Sequence, residues 1–203
     1  MKIQNKKTEK QNLKNVANKE NTMNSKNFLF ELYKDLNKSE GFYSMALKLE
    51  TETFNCIELD ETNQIVSMYF YSSKLSGQLG SCLGMAKSLR VLNLSSNQIL
   101  GSIPSEIGSL IYLEHCNLSY NSFSGSIPTE VGNLKGLKML FLDNNKISDS
   151  IPKEVGNLIN LKTLSLNHNQ LEGFIPKEIG KLINLKTIFF NYNPLFGTIP
   201  IEF

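Results

Sequence analysis

The nine residues Leu89–Asn97, LRVLNLSSN, place leucine at the first, fourth and sixth positions and asparagine at the ninth. The same spacing returns at Leu113–Asn121, with Cys116 in the second leucine place, and again at Leu137–Asn145 and Leu161–Asn169. A fifth copy, Leu185–Asn193, has Ile188 and Phe190 in the inner places. Successive copies start 24 residues apart. One period earlier, Ile65, Met68, Phe70 and Ser73 form a degenerate first copy. The downstream half keeps the same period: Ile99–Pro104 is followed by Phe123–Pro128, Ile147–Pro152, Leu171–Pro176 and Leu195–Pro200. Each of the four complete copies then ends in Ile or Val, Gly and Leu, as at Ile107, Gly108 and Leu110.

A fixed period of this size marks a solenoid. The alternation around Leu92 and Leu94 is that of a strand with one buried face. No single repeat can bury its own leucines, so stability must come from stacking neighbours into one continuous core. The asparagines Asn97, Asn121, Asn145, Asn169 and Asn193 fall at the bend after each strand, where an amide can satisfy orphaned backbone groups. They form a structural ladder. Gly77, Gly101, Gly125, Gly173 and Gly197 mark a turn that needs positive φ. Asp149 stands in that place in the fourth repeat, and Asp is among the few residues that tolerate it. The prolines fix an extended return segment and end strand pairing.

Composition bounds the function. Apolar residues make up 40% of 203 and charged residues 20%, enough for a real core. The net charge of +2 does not by itself indicate nucleic acid. Residues 1–26 carry seven lysines against Glu9 and Glu20, a net of +5, which leaves the remainder slightly acidic. That leader, poor in apolar residues, is expected to be disordered. No apolar run approaches the ~20 residues that span a bilayer, and no secretory h-region follows the lysines. Cys56, Cys82 and Cys116 form no metal pattern and no evident disulfide framework. Taken literally, these features describe a cytoplasmic chain.

The phrases Leu92-Asn-Leu-Ser-Ser-Asn97 and Gly101-Ser-Ile-Pro104 resemble the consensus of the plant-type leucine-rich-repeat family. The resemblance covers residues 65–203. It implies an α/β solenoid, a right-handed superhelix with a parallel sheet on its concave side, here of about six 24-residue repeats. It also implies recognition of peptides, proteins or glycans, often at the cell surface in receptor-like proteins. Residues 27–64 resemble an eroded N-terminal cap, with Phe28, Leu29, Leu32, Tyr33 and Leu36 at helical spacing and Cys56 where a second cysteine motif of such a cap would lie. The cap's tryptophan and paired cysteine are missing. The last repeat stops at Phe203, 19 residues into its unit, with no polar cap. Three readings stay open: a truncated gene product, an end covered by a partner chain, or a tolerated short terminal copy.

The residues between the leucines face outward on the concave side, free of the core constraint. Among them Tyr69, Tyr71, Phe141, Phe189 and Tyr192 are aromatics aimed at solvent, flanked by Asp143, Asn167 and Asn191. Such a set suggests a binding surface for a protein, peptide or glycan, or else aromatics that pack only on one another across strands. A flanking row, Arg90, Lys138, Lys162 and Lys186, is basic and interrupted by Glu114. It would steer acidic partners, or it is a solvated edge. Asn37, Asn93 and Asn117 lie in Asn-x-Ser sequons and are candidate glycosylation sites, the last two arising partly from the repeat consensus.

Enzyme chemistry lacks an inventory. His115 and His168 stand about two repeats apart without a placed nucleophile, and no phosphate-binding loop follows a strand. No cofactor, metal or nucleic-acid partner is expected. The expectation is a non-catalytic recognition module, with an intracellular scaffold or adaptor, or a remnant of a longer receptor-like protein, as the alternatives.

Overall fold

The computed structural model describes residues 17–36, apart from 18, 22 and 33, and residues 56–198. Lys2–Lys14, Tyr33, Asn37, the cap segment 37–55 and the terminal Phe203 therefore lie outside the described residues.

Each repeat contributes one strand to a seven-stranded sheet, which begins ahead of the repeats with β1 (Ile57–Leu59). Strands β2 (Ile65–Tyr69), β4 (Val91–Asn93), β6 (His115–Asn117), β8 (Met139–Phe141), β10 (Thr163–Ser165) and β11 (Thr187–Phe189) pair in parallel without a register shift. Met68, Leu92, Cys116, Leu140, Leu164 and Ile188 thus stack as one row, the first five of them fully buried. A second, shorter parallel sheet joins β3 (Ser76–Gln78), β5 (Gln98–Gly101), β7 (Ser122–Gly125) and β9 (Lys146–Ile147). The prolines at 104, 128, 152 and 176 end this ladder and begin 3-10 turns, Ser105–Ser109, Thr129–Asn133, Lys153–Asn157 and Lys177–Lys181. Their φ near −67° is already that of the extended segment entering the turn.

The asparagines staple neighbouring repeats. Asn169 donates to the carbonyls of Leu142 (2.9 Å), Leu166 and Asn167, while its oxygen accepts the Ile147 N–H at 3.0 Å. Asn121, Asn145 and Asn193 repeat this pattern, one period apart. Asn97 accepts from both Ser73 and Leu75. At the turn that is glycine elsewhere, Asp149 holds φ 61°, beside Gly125 at 71° and Gly173 at 81°.

The 3-10 turns stack because each carries a glycine at the contact. A Cβ at Gly156 would meet the Glu178 carbonyl oxygen at 2.3 Å, and one at Gly132 would meet that of Glu154 at 2.7 Å. No other residue fits without moving backbone.

The N-terminal end adds two features to the repeats. The described residues between 17 and 35 are helical, including several in the segment expected to be disordered. Phe28, Leu29, Leu32 and Leu36 bury against the first repeat. Once these anchors hold one turn, adding Lys and Glu turns upstream costs little. Ser25 fixes the helix further by donating to the Asn63 carbonyl at 3.0 Å. Second, the expected helical cap also contains a strand, β1 (Ile57–Leu59), antiparallel to β2. The Asp60 carboxylate closes that hairpin by accepting the backbone N–H groups of Thr62 and Gln64. Cys82 and Cys116 lie outside any disulfide. Cys82 donates to the Asp35 carboxylate at 3.0 Å, and burial pushes the Cys116 thiol up to about 12.

Candidate functional site: the concave sheet

The parallel register decides which outward residues meet. Phe141, Ser165 and Phe189 stand opposite one another on β8, β10 and β11. Ser165 is buried, Phe141 half-buried and Phe189 exposed. Adjacent strands are about 4.8 Å apart, so the two phenyl rings rise from rungs roughly 10 Å apart with a small side chain between them. In register the row reads aromatic, small, aromatic, a notch between two ring positions with Ser165 covered at its base. Thr163 and Thr187 flank it on one side, and Asp143, Asn167 and Asn191 on the other.

The sequence-derived set therefore divides. Phe141, Asp143, Asn167, Phe189, Asn191 and Tyr192 share the C-terminal half of the face. Tyr69 pairs with Asn93, which pairs with Asn117, which pairs with Phe141, so Tyr69 and the exposed Tyr71 lie three rungs away and do not join the notch.

Several of these side chains have internal work. The Asp143 carboxylate accepts from the Ser119 hydroxyl at 3.0 Å and the Asn144 amide at 3.2 Å. A carboxylate has about four acceptor sites, so it keeps capacity for a ligand donor. The Asn167 oxygen accepts the Asn191 N–H at 2.8 Å, joining the last two rungs. Tyr192 stacks on His168, ring centroids 4.1 Å apart and 11° from parallel. The cross-strand packing reading holds for that ring, which is still 74% exposed. The sequon residues Asn93 and Asn117 accept the N–H groups of Ser95 and Ser119.

Sequence reasoning missed the conformation of the next column. Ser72, Ser96, Tyr120, Asn144, His168 and Tyr192 all have φ between 49° and 57°. Left-handed backbone is uncommon for Ser and Tyr, less so for Asn and His, and it sets these residues at the rim of the sheet. Asn144 and His168 were the available signal.

On the opposite rim, Glu114 sits between two cations of the basic row. It accepts from Arg90 at 3.3 Å and from Lys138. The Lys138 hydrogen bond, aided by the charges of Lys138 and Arg90 against a small desolvation penalty, holds its carboxyl below the ordinary value of 4.5. Among the described residues, no group of three His, Cys, Asp or Glu is placed to hold a metal ion.

A family model for the leucine-rich repeat region matches residues 67–194. The chain belongs to the leucine-rich-repeat family. No match is found among curated protein sequences. Among solved structures, this leucine-rich-repeat chain is similar to one in the PEPR1–AtPEP1 crystal structure, with 31% identity over 88% of this chain and 26% of that one, TM-score 0.80. It is similar to the plant peptide hormone receptor RGFR1, solved in complex with RGF2, at 36% identity over 63% of this chain and 20% of that one, TM-score 0.62. The leucine-rich-repeat ectodomain of the receptor kinase SOBIR1 from Arabidopsis thaliana matches at 26% identity over 85% of this chain and 96% of that one, TM-score 0.71. The chain thus spans 26% and 20% of the PEPR1-complex and RGFR1 chains.

Proposed function

We propose that this chain is a non-catalytic recognition module whose concave face binds an extended peptide, or an extended segment of a protein. The Phe141–Ser165–Phe189 notch carries the proposal. It is rigid, because each wall belongs to a strand paired on both sides or to the stapled last rung. It is also chemically mixed. An apolar ligand side chain would fill the notch, while Asp143 and the Thr163–Thr187 pair take ligand donors and acceptors on either side. Exposed aromatics supply contact area at low entropic cost. Support also comes from the similarity to RGFR1 and to the PEPR1–AtPEP1 structure, both solved with their partners.

The test is selection of a random peptide library on the purified chain, followed by titration of the enriched peptides against wild type, Phe189→Ala and Tyr192→Ala. Aromatic anchors cost upward of about 1–2 kcal/mol when truncated, roughly tenfold in affinity or more. Enriched peptides that bind all three proteins equally would sink the assignment.

A further inference from the structure

The charge of this chain is not spread evenly over its folded part. It gathers on the edge that leads from each 3-10 turn into the concave strand, residues 85–90, 109–114, 133–138, 157–162 and 181–186. Those thirty residues hold seven cations and one acid, a net of +6 in a chain whose total is +2. The segments form one edge because the repeats are bonded rung to rung there. Lys138, Lys162 and Lys186 each donate their N–H to the carbonyl of the preceding repeat's equivalent residue. Asn160 and Asn184 donate side-chain amides to the carbonyls of Lys135 and Ile159.

Glu114 neutralises only the N-terminal part, through Arg90 and Lys138. Lys87, Lys162, Lys181 and Lys186 are exposed and have no acidic partner among the described residues. Interleaved with these cations, and equally exposed, stand Ile111 (55%), Tyr112 (59%), Ile159 (51%) and Ile183 (86%). Ile111 and Tyr112 border a groove of about 290 Å³ that also holds Arg90 and Lys138. With Met85 (48%), these make five exposed large apolar side chains in a lysine-rich band, and neither burial nor pairing explains them.

We propose that this edge docks on an anionic lipid surface. Lysine with aliphatic and tyrosyl side chains on one face is the pattern of an interfacial membrane contact, in which cations meet headgroups and apolar groups enter the acyl boundary. A protein interface is the weaker match. Such interfaces favour arginine and are depleted in lysine, whereas six of these seven cations are lysine. Docked by this edge, the solenoid would leave the notch on an adjoining face, open to a ligand.

The experiment is co-sedimentation of the full chain with vesicles of phosphatidylcholine alone and with 30% phosphatidylserine. Wild type is compared with Lys162→Ala/Lys186→Ala and with Ile159→Ser/Ile183→Ser. All four positions are exposed, and circular dichroism confirms that each variant is folded. The expected result is binding to anionic vesicles only, weakened about thirtyfold by loss of the two lysines and weakened again in the isoleucine variant. The basic leader is present in every variant, so undiminished binding in both would assign any attraction to the leader and overturn the proposal. Equal binding to neutral vesicles would overturn it too. So would retention on immobilised poly-glutamate without vesicle binding, which would point to an acidic protein instead.

Discussion

The smallest unit that holds this molecule together is the asparagine amide. Asn169 is the most enclosed of the five, 8% exposed, and it serves three carbonyls and one N–H. Asn169→Ala strands those groups in a dry setting. The expected cost is about 2–4 kcal/mol, measured as a shift in urea midpoint. Tyr120 makes the opposite prediction. Its left-handed φ of 54° suits Asn144, one repeat on, better than it suits tyrosine. Tyr120→Asn should leave stability unchanged or raise it by up to about 1 kcal/mol; a loss would show that the ring packs in a way its 58% exposure does not reveal. Glu114 carries a pH prediction. Its lowered native value means that its contribution is complete above pH 4.5 and is lost as pH falls through that lowered value. The melting temperatures of wild type and Glu114→Gln should differ at pH 7 and converge as the pH falls through that lowered value.

At the scale of the element, the 3-10 stack is the stringent contact. Gly156→Ala forces a methyl into the Glu178 backbone, and the expected cost is about 1–3 kcal/mol, or more where the backbone cannot shift. Gly136, whose added Cβ would lie 3.6 Å from the nearest atom, is the matched control and should tolerate alanine within about 1 kcal/mol. Both are read by denaturant titration. These elements show what the sequence could reveal. Strand, turn and asparagine positions were legible because the repeat imposes one constraint at every rung, so five copies vote on each position. The glycine at 108, 132 and 156 was equally regular, yet its cause is contact between turns 22 residues apart, which no single repeat contains. The left-handed column stayed hidden because Tyr120 and Tyr192 carry no preference for that backbone. The aromatic set looked uniform along the chain. Only the register shows Ser165 between Phe141 and Phe189, with Tyr69 three rungs removed. The helical residues described upstream of Phe28 follow from tertiary anchoring at Phe28 and Leu32, which composition alone does not show.

The whole molecule is a rod of repeats in which each contacts its neighbours, so damage should spread locally rather than everywhere at once. Its core is stapled by the asparagine ladder, and a basic edge adjoins the concave face. The central claim is that the notch end of the concave face is where a peptide binds. Hydrogen–deuterium exchange on the chain, with and without a library-selected peptide, tests it most directly. The account predicts slowed exchange in 139–143, 163–167 and 187–192, with the second sheet and the 3-10 turns unchanged. Protection confined to the second sheet, or to the rungs around Tyr69 and Tyr71, would contradict it.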